Sequence, residues 1–245
     1  MEIMLILLGI FVGILSGFFG IGGGTVSVPI LLYMGFGIKE AIGISVAQML
    51  AGSFAAFLIH RKNQTYNAGE IKYFGFGGII GAVIGGYLVK VLNASLLEWF
   101  FLSLVTFTLV KLFMSNPEPT HKEIVNRPLY MLVGGLIGVF SGMLGVGGSI
   151  LMTPILVSFL GFSLKKASAV GLFYVMFTSV SSFVTLSSFG MINFQAGALM
   201  ALGSLIGIWV GIWLMNKMHI KHYKRFLVIF YVIILAITVN KLILG

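Results

Sequence analysis

The sequence predicts an all-α, polytopic membrane protein made of two inverted repeats of about five segments each, with short helices broken by glycine. Three observations lead to this prediction. The chain is 59% hydrophobic and 9% charged, with a mean hydropathy of +1.11, whereas a soluble domain carries roughly 25% charged residues. A glycine-rich stretch occurs twice, and the basic residues gather on one side of the predicted segments. At about 20 residues per span, the chain has room for roughly eight to ten segments.

The two glycine-rich stretches cover residues 16–31 and 141–156, an offset of 125, and eight of their sixteen aligned pairs are identical. Glycine is costly inside a helix, so four or five glycines within nine residues interrupt it. Inside a membrane, interrupted backbone persists only where protein or a water-filled cavity satisfies it. We therefore interpret the stretches as paired helix breaks that build one site. Close helix packing through small residues is the alternative.

Hydropathy and turn signals define ten apolar segments in chain order. Each is bounded by glycines, by a polar loop or by a cap; Ser95 and Glu98 match a capping box, and Pro128 suits a first helical turn. Residues 115–127 contain two prolines and no periodicity, which is typical of a linker. The predicted segments are about 3–19, 25–34, 39–59, 67–91, 95–114, 128–144, 150–160, 164–189, 194–216 and 226–244.

The repeat extends beyond the breaks. Gly35-Phe36 matches Gly161-Phe162, and Gly81 and Gly85 match Gly207 and Gly211. Glycines at four-residue spacing also precede each break, a pattern that lets helix backbones approach closely. We expect residues 1–115 to form the first membrane repeat, 116–127 a cytoplasmic linker, and 128–245 the second repeat. Internal symmetry of this kind is typical of transporter folds.

The distribution of basic residues predicts the topology. If each broken pair of segments is a hairpin, twelve basic residues share one side and three the other; if each pair is a single crossing, the split is about eight to seven. The positive-inside rule favours hairpins. The halves are then inverted, both termini face outside, and residues 60–66, 115–127 and 217–225 face the cytoplasm. The twelve are Arg61, Lys62, Lys72, Lys111, Lys122, Arg127, Lys165, Lys166, Lys217, Lys221, Lys224 and Arg225; the three are Lys39, Lys90 and Lys241.

Ionisable side chains are missing from the predicted membrane interior. All six Glu lie at segment ends or in loops, as do the four His, and the chain has no Asp and no Cys. This argues against a membrane hydrolase, an intramembrane metal site and a thiolate site. We expect no catalytic residues, no metal and no cofactor. The net charge of +9 lies in short loops and reports topology, so we expect no nucleic-acid partner.

Backbone groups and neutral side chains remain to build a site. The segments that follow the glycines present unpaired N–H groups and the positive end of a helix dipole, which together attract anions. The predicted substrate-binding residues are Gly22, Gly23, Gly24, Thr25, Gln48, Gly147, Gly148, Ser149, Ile150 and Tyr174. Gln48 and Tyr174 belong to this set because they occupy equivalent positions in the two halves. Most single Ser or Thr side chains in membrane helices bond their own backbone instead.

The duplicated motif G-x-x-G-x-G-G-[GS]-x-x-x-x-P resembles that of the TauE/SafE sulfite exporter family of membrane permeases. The residues that carry the motif are Gly17, Gly20, Gly22, Gly23 and Pro29 in one copy and Gly142, Gly145, Gly147, Gly148 and Pro154 in the other. The second copy departs from the first at Ser149, where the first has Gly24, so the half-sites need not be equivalent. Family members are commonly described with about eight helices.

The resemblance implies a multi-pass permease of the cytoplasmic membrane that moves small sulfur-containing or organic anions, such as sulfite, sulfoacetate and other sulfonates. The expected partners are a small anion and the lipid bilayer, and a homo-oligomer is left open. Two alternatives are a channel or carrier for another small solute or a divalent cation, and an accessory membrane subunit without transport of its own.

Overall fold

A computed structural model describes residues 2–62, 68–114, 123–217 and 220–244, and every regular element in these ranges is a helix. The predicted all-α class is confirmed. The ten helices are α1 Glu2–Phe19, α2 Gly24–Tyr33, α3 Ile38–Lys62, α4 Ala68–Val91, α5 Ala94–Met114, α6 Arg127–Leu144, α7 Ser149–Leu160, α8 Leu164–Ser188, α9 Phe194–Lys217 and α10 Ile220–Leu244. Most of the linker predicted at 116–127 and the loop residues 63–67 lie outside the described residues.

Two local predictions are wrong. The last helix begins at Ile220, six residues before the predicted start, because residues 220–225 contain no glycine or proline and Lys and Arg favour helix. At α5 the cap is Asn93, whose Oδ1 accepts a 2.8 Å hydrogen bond from the Leu96 N–H, and not Ser95. The predicted proline in the first turn of α6 is confirmed, with Asn126 as the N-cap.

Helix length divides the elements into two groups. Among the described residues, seven helices are long and apolar enough to cross a membrane: α1, α3, α4, α5, α6, α8 and α9. The helices α2 and α7 have 10 and 12 residues, or about 15 and 18 Å at 1.5 Å per residue. Each is shorter than the roughly 30 Å hydrocarbon core of a bilayer. The chain is therefore a polytopic helical membrane protein with two short helices after the breaks.

Both short helices bring the chain back toward the start of the preceding long helix. The loop after α2 places Phe36 in a cavity shared with Glu2 and Leu5 of α1. At the equivalent place in the second half, the Ile124 N–H donates a 3.1 Å hydrogen bond to the Leu160 carbonyl at the end of α7. The pairs α1–α2 and α6–α7 are therefore hairpins, with the glycine-rich breaks at their tips.

Small residues let helices of the two halves pack closely. A Cβ built on Gly13 of α1 would lie 2.6 Å from the Ser204 carbonyl oxygen of α9, and one built on Gly138 of α6 would lie 2.6 Å from the Gly78 oxygen of α4. The helix α1 of the first half therefore packs along α9 of the second, and the equivalent helix α6 of the second half packs along α4 of the first.

The registers of these contacts give the helix directions. The residue numbers of contacting positions increase together along α1 and α9, and likewise along α6 and α4, so the helices of each pair are parallel. The helices α3 and α9, and α4 and α8, are also parallel, whereas α3 and α8 are antiparallel, with Ser53 facing Ser179 and Phe57 facing Phe173. Helices α1, α3 and α9 thus run one way and α4, α6 and α8 the other. Equivalent helices of the two sequence copies have opposite directions.

Candidate functional site

The two glycine-rich breaks adopt nearly the same backbone conformation. In the first, Gly20, Gly22 and Gly23 have φ of 69°, 72° and 69°; in the second, the equivalent Gly145, Gly147 and Gly148 have φ of 63°, 72° and 77°. Side chains disfavour this left-handed region, so glycine is needed at these positions. The repeated glycine pattern of the sequence is therefore a repeated backbone geometry.

The breaks lie against each other. Gly24, the first residue of α2, approaches the Gly145 carbonyl so closely that a Cβ there would overlap it. The same carbonyl accepts a 2.7 Å hydrogen bond from Ser45 Oγ on α3, and Ser45 Oγ accepts a 2.9 Å bond from Ser27 Oγ on α2. The first half thus holds the second break in place through two buried hydroxyls.

The second half makes the equivalent contact with the first break, but serine and glycine have exchanged positions. Ser149 stands at the position of Gly24, and Gly171 of α8 stands at that of Ser45. A Cβ built on Gly171 would lie 3.1 Å from Ser149 Cβ and 3.2 Å from the Gly20 carbonyl oxygen. At each of these two contacts, one serine and one glycine of the same half lie against a carbonyl of the opposite break. In the first half the serine is on the long helix α3 and the glycine on the break; in the second half the serine is on the break and the glycine on α8.

The predicted pair Gln48 and Tyr174 reaches the two N-cap glycines. A Cβ built on Gly23 would lie 2.7 Å from Gln48 Oε1, and one on Gly148 would lie 2.6 Å from Tyr174 Cε1. The two side chains differ in their bonding. The Tyr174 hydroxyl donates a 2.6 Å hydrogen bond to the Gly134 carbonyl, whereas Gln48 Oε1 is buried without a partner among the described residues.

Several polar groups around the breaks have no hydrogen-bond partner among the described residues. Neither N-cap glycine has a side chain to cap its helix. In these first turns the N–H groups of Gly24, Val26 and Leu151 donate to backbone carbonyls at 2.7, 2.9 and 3.1 Å. The N–H groups of Thr25, Ser149 and Ile150 have no hydrogen-bond partner among the described residues, as is usual at a helix start. Thr25 Oγ1, Gln48 Oε1, Ser141 Oγ and Ser149 Oγ are buried and have no hydrogen-bond partner in the described part of the chain. Because buried polar groups are normally paired, this concentration of free groups makes the breaks the candidate ligand site.

Two apolar residues that the sequence analysis did not select fill the space between the breaks. A Cβ built on Gly147 would lie 3.0 Å from Met49 Sδ and 2.8 Å from a Val175 methyl, and one on Gly22 would lie 2.9 Å from the other Val175 methyl. Met49 and Val175 directly follow Gln48 and Tyr174, so the repeat alignment could have identified them. They separate the two sets of polar groups.

All ten predicted site residues are buried. The described carboxylates closest to the breaks in sequence lie instead in the first turns of α1 (Glu2) and α3 (Glu40) and in the non-helical stretch before α6 (Glu123). Over the described residues there is no group of His, Asp, Glu or Cys that could hold a metal ion. The electrostatics of the site therefore come from the helix dipoles and from neutral hydrogen-bonding groups.

Comparison with known proteins gives the family. Residues 5–239 match the family described as sulfite exporter TauE/SafE. The chain belongs to this family. It is 26% identical to the "Probable membrane transporter protein YunE" of Bacillus subtilis over 85% of both chains. It is also 26% identical to the "Probable membrane transporter protein MJ0441" of Methanocaldococcus jannaschii, over 90% of this chain and 89% of the other. No solved structure matches the chain.

A third relative, the "Probable membrane transporter protein YfcA" of Escherichia coli, is 23% identical over 84% of this chain and 80% of its own. The family and these names describe membrane transport and not enzymatic catalysis. Together with the helices long enough to cross a bilayer, they make the chain a multi-pass membrane transporter of the TauE/SafE family. The resemblance noted in the sequence is confirmed.

Proposed function

We propose that the protein exports small organic or sulfur-containing anions, such as sulfite, sulfoacetate or other sulfonates, across the cytoplasmic membrane. The anion binds at the N-termini of α2 and α7, near the membrane midplane, in a second conformation in which the side chains of Met49 and Val175 no longer separate them. One observation carries the proposal: two helix starts without side-chain caps meet at touching breaks, beside Gln48 Oε1 and Ser149 Oγ, which are buried and have no hydrogen-bond partner in the described part of the chain. The name of the matching family supports the substrate class.

The chemistry of this arrangement suits an oxyanion. Each helix start carries the equivalent of roughly half a positive charge, and its N–H groups point along the axis toward the ligand. The hydroxyls of Thr25 and Ser149 can donate. The Gln48 amide presents an N–H in place of Oε1 when it rotates by half a turn, with no change in volume. Backbone donors bind sulfite, sulfonate and carboxylate groups alike, so the site defines a class of anion.

We further propose that residues 1–115 and 128–245 are inverted repeats joined by a cytoplasmic linker at 116–127. The opposite directions of equivalent helices support this arrangement, as does the twelve-to-three split of basic residues. Because the site is buried, anion entry needs a second conformation, which rocking of one repeat against the other can supply. Cysteines introduced at residues 63, 115 and 219, all outside the described residues, should resist an impermeant thiol reagent added outside the cell.

The driving force we propose is the membrane potential. Without a carboxylate or a histidine at the breaks, the site has no fixed carrier for a proton near neutral pH. An anion leaving a cell with a negative interior is already driven outward. The potential contributes roughly 2.3 kcal/mol per charge for each 100 mV. Efflux should therefore be electrogenic and independent of sodium.

Flux from proteoliposomes tests the proposal. Vesicles that contain only this protein are loaded with radiolabelled sulfite or sulfoacetate, and potassium–valinomycin potentials of either sign are applied with and without sodium at matched pH. We expect efflux that is faster toward the positive side and unaffected by sodium. Flux that ignores the potential and requires sodium would support a cation-coupled carrier, and absence of flux for every small solute would support an accessory subunit.

A further inference from the structure

An apolar groove of about 490 Å³ runs between α4 and α6 on the outer surface of the helix bundle. Gly77, Gly81 and Gly135 line it, and the two helices meet so closely beneath it that a Cβ built on Gly77 or Gly81 would overlap a carbonyl of α6. Ile80 and Leu132 line it and are exposed by 55% and 62%. In a membrane protein such a surface faces lipid chains, so the apolar lining of the groove has the chemistry of an acyl-chain site.

Two cations stand at one end of this groove. Lys72 Nζ and the Arg127 guanidinium both lie 5.5 Å from the centre of the Tyr73 ring. Both side chains are exposed, and each precedes a groove residue of its own helix, Gly77 on α4 and Pro128 on α6. Glu123, which precedes Arg127, is paired with Lys166 at 2.6 Å. On α4, Glu70 lies two residues before Lys72, and residues two apart on a helix do not face each other.

The equivalent surface, between α1 and α9, has no cations at the positions of Arg127 and Lys72. In the repeat alignment Glu2 of α1 takes the place of Arg127, and Ala198 of α9 takes that of Lys72. Glu2 Oε1 accepts a 3.1 Å hydrogen bond from Gln195. The pair α1–α9 therefore packs through the same glycine spacing as α4–α6 but ends in an acid and an apolar residue. The cationic end is specific to one of two otherwise similar surfaces.

We infer that the α4–α6 groove binds an anionic phospholipid, with an acyl chain along Gly77, Gly81 and Leu132 and the phosphate between Lys72 and Arg127. The complementary charge and the continuous apolar groove below it select this occupant. A basic residue next to a membrane surface raises the local preference for anionic lipid by about fivefold. This site is separate from the breaks and does not depend on which solute is transported.

A tryptophan reporter in each half tests the inference. The natural Trp99, Trp209 and Trp213 are replaced by Phe, and a single Trp is introduced by Leu132→Trp in the groove or by Leu7→Trp at the equivalent place on α1. Leu132 and Leu7 are 62% and 60% exposed, so the two reporters are matched. The protein is reconstituted in phosphatidylcholine vesicles with dibrominated phosphatidylglycerol or dibrominated phosphatidylcholine, and fluorescence quenching is measured.

We expect dibrominated phosphatidylglycerol to quench the groove reporter at a mole fraction roughly five- to thirtyfold lower than dibrominated phosphatidylcholine does. The α1 reporter should show no such preference. The double change Lys72→Gln and Arg127→Gln should remove the preference, whereas the exchange Lys72→Arg with Arg127→Lys should retain it. A matched removal of two cations elsewhere, Lys111→Gln with Lys217→Gln, should leave it intact.

Raising the ionic strength provides a readout that needs no variant, because the preference at an exposed phosphate contact must fall with salt. Equal preference at the two reporters would overturn the inference, since it would describe a general attraction of the basic protein for anionic lipid. A preference that survives the double Gln change in inserted protein, or that ignores salt, would overturn it as well.

Discussion

The half-site at Gly23 and the half-site at Gly148 share a backbone and differ in chemistry. In both, a glycine with φ near 70° starts a short helix beside a residue of the following long helix. At Gly148 that residue is Tyr174, whose hydroxyl is bonded to the Gly134 carbonyl. At Gly23 it is Gln48, whose Oε1 is buried without a partner in the described part of the chain. One half-site is closed by its own hydrogen bond, and the other keeps a polar group available for a ligand.

The serines show the same division of roles. Ser45 bonds the Gly145 carbonyl and supports the opposite break, whereas Ser149, exchanged onto the break itself, has a buried hydroxyl with no partner among the residues described. An approximate repeat can thus keep its backbone scaffold on both sides while single substitutions assign support to one group and ligand binding to its counterpart. Four experiments test this division, in order of the size of the expected effect.

The largest effect should come from Gly24→Ala. Its φ suits alanine, so the change adds no backbone strain, but the new Cβ would overlap the Gly145 carbonyl, which cannot rotate away. We expect transport to fall at least tenfold in protein that still inserts, with a loss of about 1–3 kcal/mol in the free energy of unfolding. Gly37→Ala is the control, because a Cβ there meets nothing within 4 Å. Normal flux in Gly24→Ala would show that the breaks need not touch.

The second experiment compares Gln48→Ala with Tyr174→Phe. Hydrogen bonds to charged groups contribute about 1.5–3 kcal/mol, so Gln48→Ala should lower anion affinity by roughly ten- to a hundredfold, measured by calorimetry with sulfite and sulfoacetate. Tyr174→Phe should leave the affinity unchanged and lower the free energy of unfolding by about 1 kcal/mol. Equal losses of affinity in the two variants would mean that both halves bind the ligand equally.

The third experiment compares Ser45→Ala with Ser149→Ala. Removing the Ser45 hydroxyl leaves the buried Gly145 carbonyl without its bond, so the free energy of unfolding should fall by about 1–2 kcal/mol. Removing the unpartnered Ser149 hydroxyl should leave stability unchanged or slightly raised and weaken anion binding several-fold. Denaturant unfolding with and without sulfite separates the two effects. A stability loss in Ser149→Ala would reveal a structural bond for this hydroxyl.

The smallest effect should come from recreating one half-site in the other. Gly171→Ser alone places its Cβ 3.1 Å from Ser149 Cβ and forces that neighbour to shift. In the double variant Gly171→Ser with Ser149→Gly, the contact with the Cβ of residue 149 is removed, and the new hydroxyl can donate to the Gly20 carbonyl, as Ser45 does to Gly145. A double-mutant cycle should give a favourable coupling of about 0.5–1.5 kcal/mol. Additive effects would show that the exchange of serine and glycine is unrelated to this contact.

The sequence by itself determined the number and type of helices, the two breaks and the equivalence of Gln48 with Tyr174. These follow from local properties: about 20 apolar residues are needed per span, glycine alone tolerates the left-handed backbone, and an alignment of repeats transfers one position onto another. Where local signals compete, the prediction is wrong, as at α5, where both Asn93 and Ser95 can cap, and at α10, where basic residues favour helix as well as a loop.

Only the tertiary structure decided which polar groups are paired. The Tyr174 hydroxyl meets a carbonyl 40 residues away and Ser45 one 100 residues away, so their roles depend on how the helices cross and not on their neighbours in sequence. The same is true of Met49 and Val175 between the breaks, and of the groove in which Lys72 and Arg127 share the Tyr73 ring. The physical reason is that a hydrogen bond or a clash is set within a few tenths of an ångström, whereas hydropathy and glycine spacing constrain only the path of the backbone.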